Sequence, residues 1–151
     1  MADHVREQIT AAAVAALTGL TTTGARVFRD RDTAERPLQP DTEVPGLVIE
    51  DDGDPAERIT IDVARILERT MRLRVVAHVK KVAGYSAEMN QILKEVEIAM
   101  DAATLTGAKD VVLAEVGARE TAEGAEKPTV RQAFEFQILY YTAAGAPDVA
   151  I

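Results

Sequence analysis

The sixteen residues from Leu67 to Val82 read LERTMRLRVVAHVKKV and contain the clearest alternation in the chain. Most odd positions carry apolar side chains, whereas most even positions, including Arg72 and Arg74, are charged or polar. A period of two predicts a β-strand with one face in the core and the other in water. At roughly 3.3 Å per residue the strand would span about 53 Å, whereas a globule of this length is about 40 Å across. The strand must therefore bend, break or protrude.

The segments on either side supply partners for this strand. A helix is predicted from His4 to Thr18, and a second, amphipathic helix extends from a cap at Ser86 to near Gly107. The last strand, Thr129 to Thr142, alternates in the same way and would span about 46 Å. Shorter strands are predicted at residues 25–29, 46–50, 58–61 and 110–116.

The order of these elements predicts the fold class. Read as α-β-β-β-α-β-β, it indicates an α+β fold in which two helices pack on one face of a mostly antiparallel sheet of about five strands. A length of 151 residues fits a single domain over 1–151. Two stretches, 30–45 and 117–128, are charged and contain Pro or Gly without periodicity, so we expect exposed loops there.

The composition excludes several classes of protein. The chain has 25 acidic and 17 basic residues and therefore a net charge of −8. A protein with this overall charge repels nucleic acid phosphates. It has no cysteine, which excludes a disulfide scaffold, a thiolate metal site and a cysteine nucleophile. The longest apolar stretch near the N-terminus, Ile9 to Leu20, is too short to span a bilayer. We therefore expect no membrane partner.

Residues that could support catalysis are scarce. The only serine, Ser86, stands where a helix cap is needed, and the only histidines are His4 and His78. The acidic run from Asp51 to Asp54 lacks the alternating oxygen ligands and the following Glu of a calcium loop. No glycine-rich phosphate loop is present. The sequence therefore predicts no enzyme activity, no catalytic residue, no cofactor and no metal site.

The charges are instead grouped into two blocks. From Asp41 to Glu57 there are seven acids and no base, and from Arg65 to Lys81 there are six bases and one acid. Either the blocks neutralise one another within one monomer, or copies dock head to tail through them. Parity places Arg72 and Arg74 on the strand face away from the helices. The candidate interface residues are Arg69, Arg72, Arg74, Asp51, Asp52 and Asp54.

Four stretches together resemble the tail terminator, or tail completion, proteins of long-tailed bacteriophages. VREQITAAAVAALTGLTTTGARVFRDR, from Val5 to Arg31, is similar to their N-terminal helix and the Thr-Gly entry to a strand. ILERTMRLRVVAHVKK, from Ile66 to Lys81, is similar to their long central strand. SAEMNQILKEVEIAM resembles the helix that follows, and QAFEFQILYYT resembles the final strand. The likeness covers most of the chain.

The resemblance implies a structural virion protein. Six copies would form a ring that caps the finished tail tube, stops its elongation and presents a joining surface to the head connector or completion protein. The protein would reside in the neck of the virion, after assembly in the host cytoplasm, and DNA would pass through the ring without specific binding. Acids around the hole would repel phosphates. Besides the acidic turn, the candidates for the lumen or a partner-binding loop are Glu120, Glu123 and Glu126.

Other interpretations remain open at the level of sequence. The two acidic sets are also typical of solvated loop tips. The chain could be another neck component, namely a head-completion or connector protein with a small α+β design. A small-molecule-binding or hydrolytic domain is disfavoured by the missing nucleophiles. A nucleic acid binder using Arg69, Arg72, Arg74 and Lys80 is disfavoured by the net charge and the few aromatic residues.

Overall fold

The structure, a computed structural model, describes residues 2–33, 35–59, 65–102, 105–122 and 128–151. These residues form two helices and eight strands. The helices are α1 (Val5–Leu17) and α2 (Tyr85–Ala102); the strands are β1 (Val27–Arg29), β2 (Gly46–Asp51), β3 (Ala56–Arg58), β4 (Ile66–Lys80), β5 (Ala108–Val116), β6 (Glu120–Ala122), β7 (Thr129–Ala143) and β8 (Ala146–Ala150).

The longest strands, β4 and β7, form the centre of the sheet. They pair antiparallel without interruption from Ile66 opposite Ala143 to Lys80 opposite Thr129. Each has 15 residues, so the ladder is about 50 Å long at roughly 3.3 Å per residue. The alternation in the central strand therefore predicted this element correctly, and β7 is the partner over its full length.

One face of the ladder forms the main core. Odd residues of β4 and even residues of β7 are buried there, with α1 and α2 packed over them. Each helix has an apolar stripe at helical spacing, and packing against the sheet removes the aliphatic side chains of this stripe from water. The largest buried side chains of this core include Ile9, Leu17, Met71, Leu73, Met89, Ile92, Phe134, Phe136 and Tyr140.

One side chain caps the start of α1, and one glycine allows β8 to approach the segment before β5. The ring Nδ1 of His4 accepts a hydrogen bond from the backbone N–H of Arg6 at 3.0 Å, so His4 caps α1. Gly107, between α2 and β5, has a φ of +83°. A Cβ at Gly107 would lie 2.8 Å from the Cβ of Ala150, so only glycine allows β8 to approach so closely.

The predicted fold class was wrong. Where two helices on a mostly antiparallel sheet of about five strands were predicted, the sheet has eight strands, is mixed and curves into a half-barrel. Its main path is β1-β2-β4-β7-β5, with β1 parallel to β2; β3 adds to β4, and β6 and β8 add to β7. The structure is 44% strand against 22% helix, so the sheet and not the helical layer dominates. Three of the strands have only three residues each, too few to show a period in the sequence.

The opposite face of the sheet, here called the outer face, is only partly exposed. Leu38 and Val44 from the 30–45 loop are buried against Val48 and Val76 and form a second small core. The sequence predicted a wet face and an exposed loop. The loop instead uses two apolar side chains to cover part of the outer face. His78, on the same face, is 6% exposed.

Candidate functional site

The acidic and basic blocks meet within the monomer. Because β2 runs antiparallel to β4, Glu50 lies opposite Arg74, and their side chains form an ion pair at 3.1 Å. The Nζ of Lys80 lies 3.7 Å from a carboxylate oxygen of Asp41. Cross-strand pairs of this kind are the ordinary means by which neighbouring strands neutralise each other. The structure therefore favours the first of the two alternatives for Arg74, whose charge already has a partner.

Arg69 and Asp54 form a buried pair on the helix side of the sheet. Their side chains are 2.9 Å apart, and the carboxylate of Asp54 is only 1% exposed. Tyr140, opposite Arg69 in the ladder, donates its hydroxyl hydrogen to Asp54 at 2.5 Å, and the guanidinium lies over the tyrosine ring. Burial, reinforced by this hydrogen bond, raises the pKa of Tyr140. The cluster fastens the turn after β2 to the long ladder, so neither Arg69 nor Asp54 is available to dock another copy.

Asp51 is also committed inside the monomer. It lies on the helix face of β2, and both of its carboxylate oxygens bind the guanidinium of Arg6 at 2.5 Å. The hydrogen bond to Asp51 raises the pKa of Arg6. This bidentate pair joins α1 to β2. Of the acids of this turn only Asp52 has no ion pair with any base in the described part of the chain.

Arg72 differs from the arginines on either side of it. Met71 and Leu73 are buried in the main core, so Arg72 lies on the outer face, as parity predicts. Its side chain is exposed, and no carboxylate of the described residues lies within ion-pair distance. Its backbone is fixed, since its N–H donates to the carbonyl of Gly53 at 2.8 Å and its carbonyl accepts from Asp52 at 2.9 Å. Arg72 therefore presents, from a rigid strand, a charge that no described carboxylate neutralises in an ion pair, although Asp52 lies opposite it.

The loop acids are placed only in part. Glu120 lies at the start of β6 and binds Arg131 of β7, with a shortest distance of 2.7 Å. Glu123 and Glu126 lie outside the described residues. Glu120 therefore has a partner in the monomer, and its side chain remains largely exposed beside it.

A cavity of about 270 Å³ opens on the outer face between the 30–45 loop and β6. Its charged lining consists of the two ion pairs already described, Arg74 with Glu50 and Arg131 with Glu120. The charges in the cavity are thus satisfied by one another. His78, close to this region, has its pKa lowered to about 4 by burial, with the charges of Arg131 and Arg31 acting in the same direction.

Sequence reasoning missed a second surface, formed by β5 and the last two turns of α2. Glu97, Asp101 and Asp110 border two adjoining cavities there, of about 250 and 220 Å³. None of these acids forms an ion pair with a base among the residues in the structure. One signal was present in the sequence: the last turn of α2 has an acid and no base, the reverse of what stabilises a helix end.

The described residues provide no cluster of three or more histidine, aspartate or glutamate side chains able to hold a metal ion. Neither of the two helices is long and apolar enough to cross a membrane. A scan against protein-family models found no match to the chain, and a search of curated proteins found none either.

Proposed function

We propose that the chain is a structural protein that assembles into a ring and, as a tail terminator of a long-tailed bacteriophage, caps the tail tube, stops its elongation and joins it to the head connector. This function requires no reaction. It requires a rigid subunit with surfaces that bind further copies and the end of a tube. The likeness of the four sequence stretches to tail terminators motivates the choice of this assembly over other rings.

The open edge of the sheet carries the proposal. β5 has nine residues and pairs only with β7, so no described strand covers its other side. Val112 and Val116 on this strand are 49% and 41% exposed. An unpaired strand of this length with exposed aliphatic side chains is a template for association. A monomer gains nothing from it, whereas a ring would bury it.

The rigidity of the subunit supports the same function. The β4–β7 ladder is continuous over its 15 pairs, and the buried Asp54, Arg69 and Tyr140 cluster fixes one of its ends. A continuous ladder of this length resists bending more than short strands joined by loops would. Such a subunit can transmit a defined geometry from the tube to the connector.

The experiment is a tube-growth assay with the tail tube protein of the same particle. Tube subunits are allowed to polymerise, the purified chain is added, and tube lengths and ends are measured by electron microscopy. We expect growth to stop and a ring to appear at one end of each tube. Tubes that continue to grow and carry no ring at either end would refute the proposed function.

A further inference from the structure

The β5 edge combines exposed backbone with exposed aliphatic side chains. Its pairing with β7 contains two irregularities, between Ala108 and Asp110 and between Leu113 and Glu115. Bulges and charged side chains are devices that prevent unselective pairing at a sheet edge. Unselective pairing of other strands with this edge is therefore disfavoured, whereas a surface of complementary charge can still bind there.

A groove runs beside this edge and extends the candidate surface. Met100 of α2 and Val111 and Leu113 of β5 line its apolar part, and Glu97 and Asp101 border it. Asp101 lies in the last turn of α2, where the backbone carbonyls make the helix end negative. Lys109 lines the same cavity but forms no ion pair with Asp101 or Asp110, so a positive group from outside the monomer would still relieve this unfavourable placement.

We propose that the β5–α2 edge receives a second copy of this chain, head to tail, with Arg72 of the incoming copy set against Asp101 and Asp110. This inference rests on the proposed ring function. The acids Glu97, Asp101 and Asp110 outnumber Lys109 on this edge, so charge favours a contact that joins two different surfaces over one that joins two β5–α2 edges. Such a head-to-tail contact produces a ring when the rotation from one copy to the next brings the last copy back to the first.

Arg72 is the base whose charge fits this role. Arg69 and Arg74, its neighbours on β4, are paired with Asp54 and Glu50. Arg72 is exposed and has no ion pair with a carboxylate among the described residues. Its backbone N–H and carbonyl are both hydrogen-bonded, so its position on the strand is fixed. A fixed, unpaired arginine loses less conformational freedom on binding than one from a mobile loop would.

Charge reversals test the contact in the full chain. Arg72→Glu and the double variant Asp101→Lys/Asp110→Lys should each raise the concentration for half-assembly by at least about tenfold. Arg36→Glu is the matched control, because Arg36 is also exposed and the substitution changes the net charge by the same amount as Arg72→Glu. The control should assemble like the wild type. Sedimentation velocity measures all four proteins, with circular dichroism confirming that each is folded.

Mixing distinguishes a head-to-tail contact from a symmetric one. An equimolar mixture of Arg72→Glu with the double Lys variant should form rings of alternating copies, because the native contact then alternates with a contact in which both charges are reversed; a symmetric contact would stop at dimers. A chain carrying all three reversals should regain rings. If a Lys variant does not fold, Asp101→Asn/Asp110→Asn removes the same charges with less perturbation.

The outcomes separate the two proposals. Wild-type rings that are unaffected by Arg72→Glu and by the acid variants would refute this contact and leave the ring function standing. Equal weakening by Arg72→Glu and Arg36→Glu would also refute it, since the effect would then be one of net charge. A wild-type chain that forms no ring, alone or on tubes, would refute the proposed function itself.

Discussion

His78 makes stability depend on pH in a way that can be calculated from its surroundings. It lies on β4 between Gly46 of β2 and Arg131 of β7 and is only 6% exposed. Its Nε2 is buried and has no hydrogen-bond partner in the described ranges. Burial, the charge of Arg131 and the charge of Arg31 all lower its pKa, to about 4 from 6.5.

The sign of the effect follows from proton binding. The unfolded chain, with the ordinary histidine pKa of about 6.5, binds a proton more readily than the folded chain. The full stability is therefore present above pH 6.5 and is lost progressively as the pH falls from 6.5 towards 4. The whole difference corresponds to about 3 kcal/mol, of which about 2 kcal/mol is lost between pH 7.5 and pH 5.

Urea unfolding at pH 7.5 and pH 5, for the wild type and His78→Gln, measures this contribution. The wild type should lose about 2 kcal/mol more than the variant over this interval. Subtracting the two removes the effect of carboxylates, which both proteins share. Arg131→Gln is the control for the charge effect and should give an intermediate loss. An equal pH dependence in the wild type and His78→Gln would show that the lowered pKa of His78 does not contribute to the loss of stability.

Three further predictions concern the charges. Arg69→Met should lower the free energy of unfolding by about 3–5 kcal/mol, measured with urea, because it leaves the buried Asp54 carboxylate unpaired; a change below about 1 kcal/mol would contradict the buried pair. Raising the salt concentration from 0.05 to about 0.5 M should weaken ring assembly in light scattering, and salt-independent assembly would exclude a charge-steered contact. Lysines in place of three loop acids should reduce DNA delivery by particles whose tails are joined normally, and unchanged delivery would remove these acids from the lumen. The three acids are Glu120, Glu123 and Glu126.

The long strands could be predicted from sequence because their signal is local. A period of two over Leu67 to Val82 is strong enough to specify one face of β4, and β4 was found as Ile66–Lys80. The buried row on β7 follows from the same alternation. Such strands dominate the core, so the predicted core side of the ladder agrees with the structure.

The rest of the fold depends on contacts between distant residues. The three-residue strands β3 and β6 exist because β4 and β7 extend beyond their main partners and offer further backbone groups for pairing. Leu38 and Val44 lie in a charged, proline-containing loop, and only the nearby outer face explains their burial. Neither feature has a periodic signal, which is why the fold class was predicted wrongly.

The candidate interface was also predictable only in part, because the sequence shows the charges but not which of them are paired. The two charge blocks were visible in the sequence, but the register of β2 on β4 decided that Arg74 pairs with Glu50 within the monomer. The same register places Asp52 opposite Arg72, yet these two side chains form no ion pair. The β5–α2 groove brings together residues from a helix and from a strand, and the spacing of the chain could not show that they are neighbours.

Negative-stain electron microscopy of the purified wild-type chain, combined with its mass from light scattering, is the most direct test of ring assembly. We expect ring-shaped particles with a central hole and a mass that is a whole multiple of the 16.3 kDa chain, six copies by the resemblance to tail terminators. Monomers over the whole accessible concentration range, both alone and with tail tubes present, would contradict it.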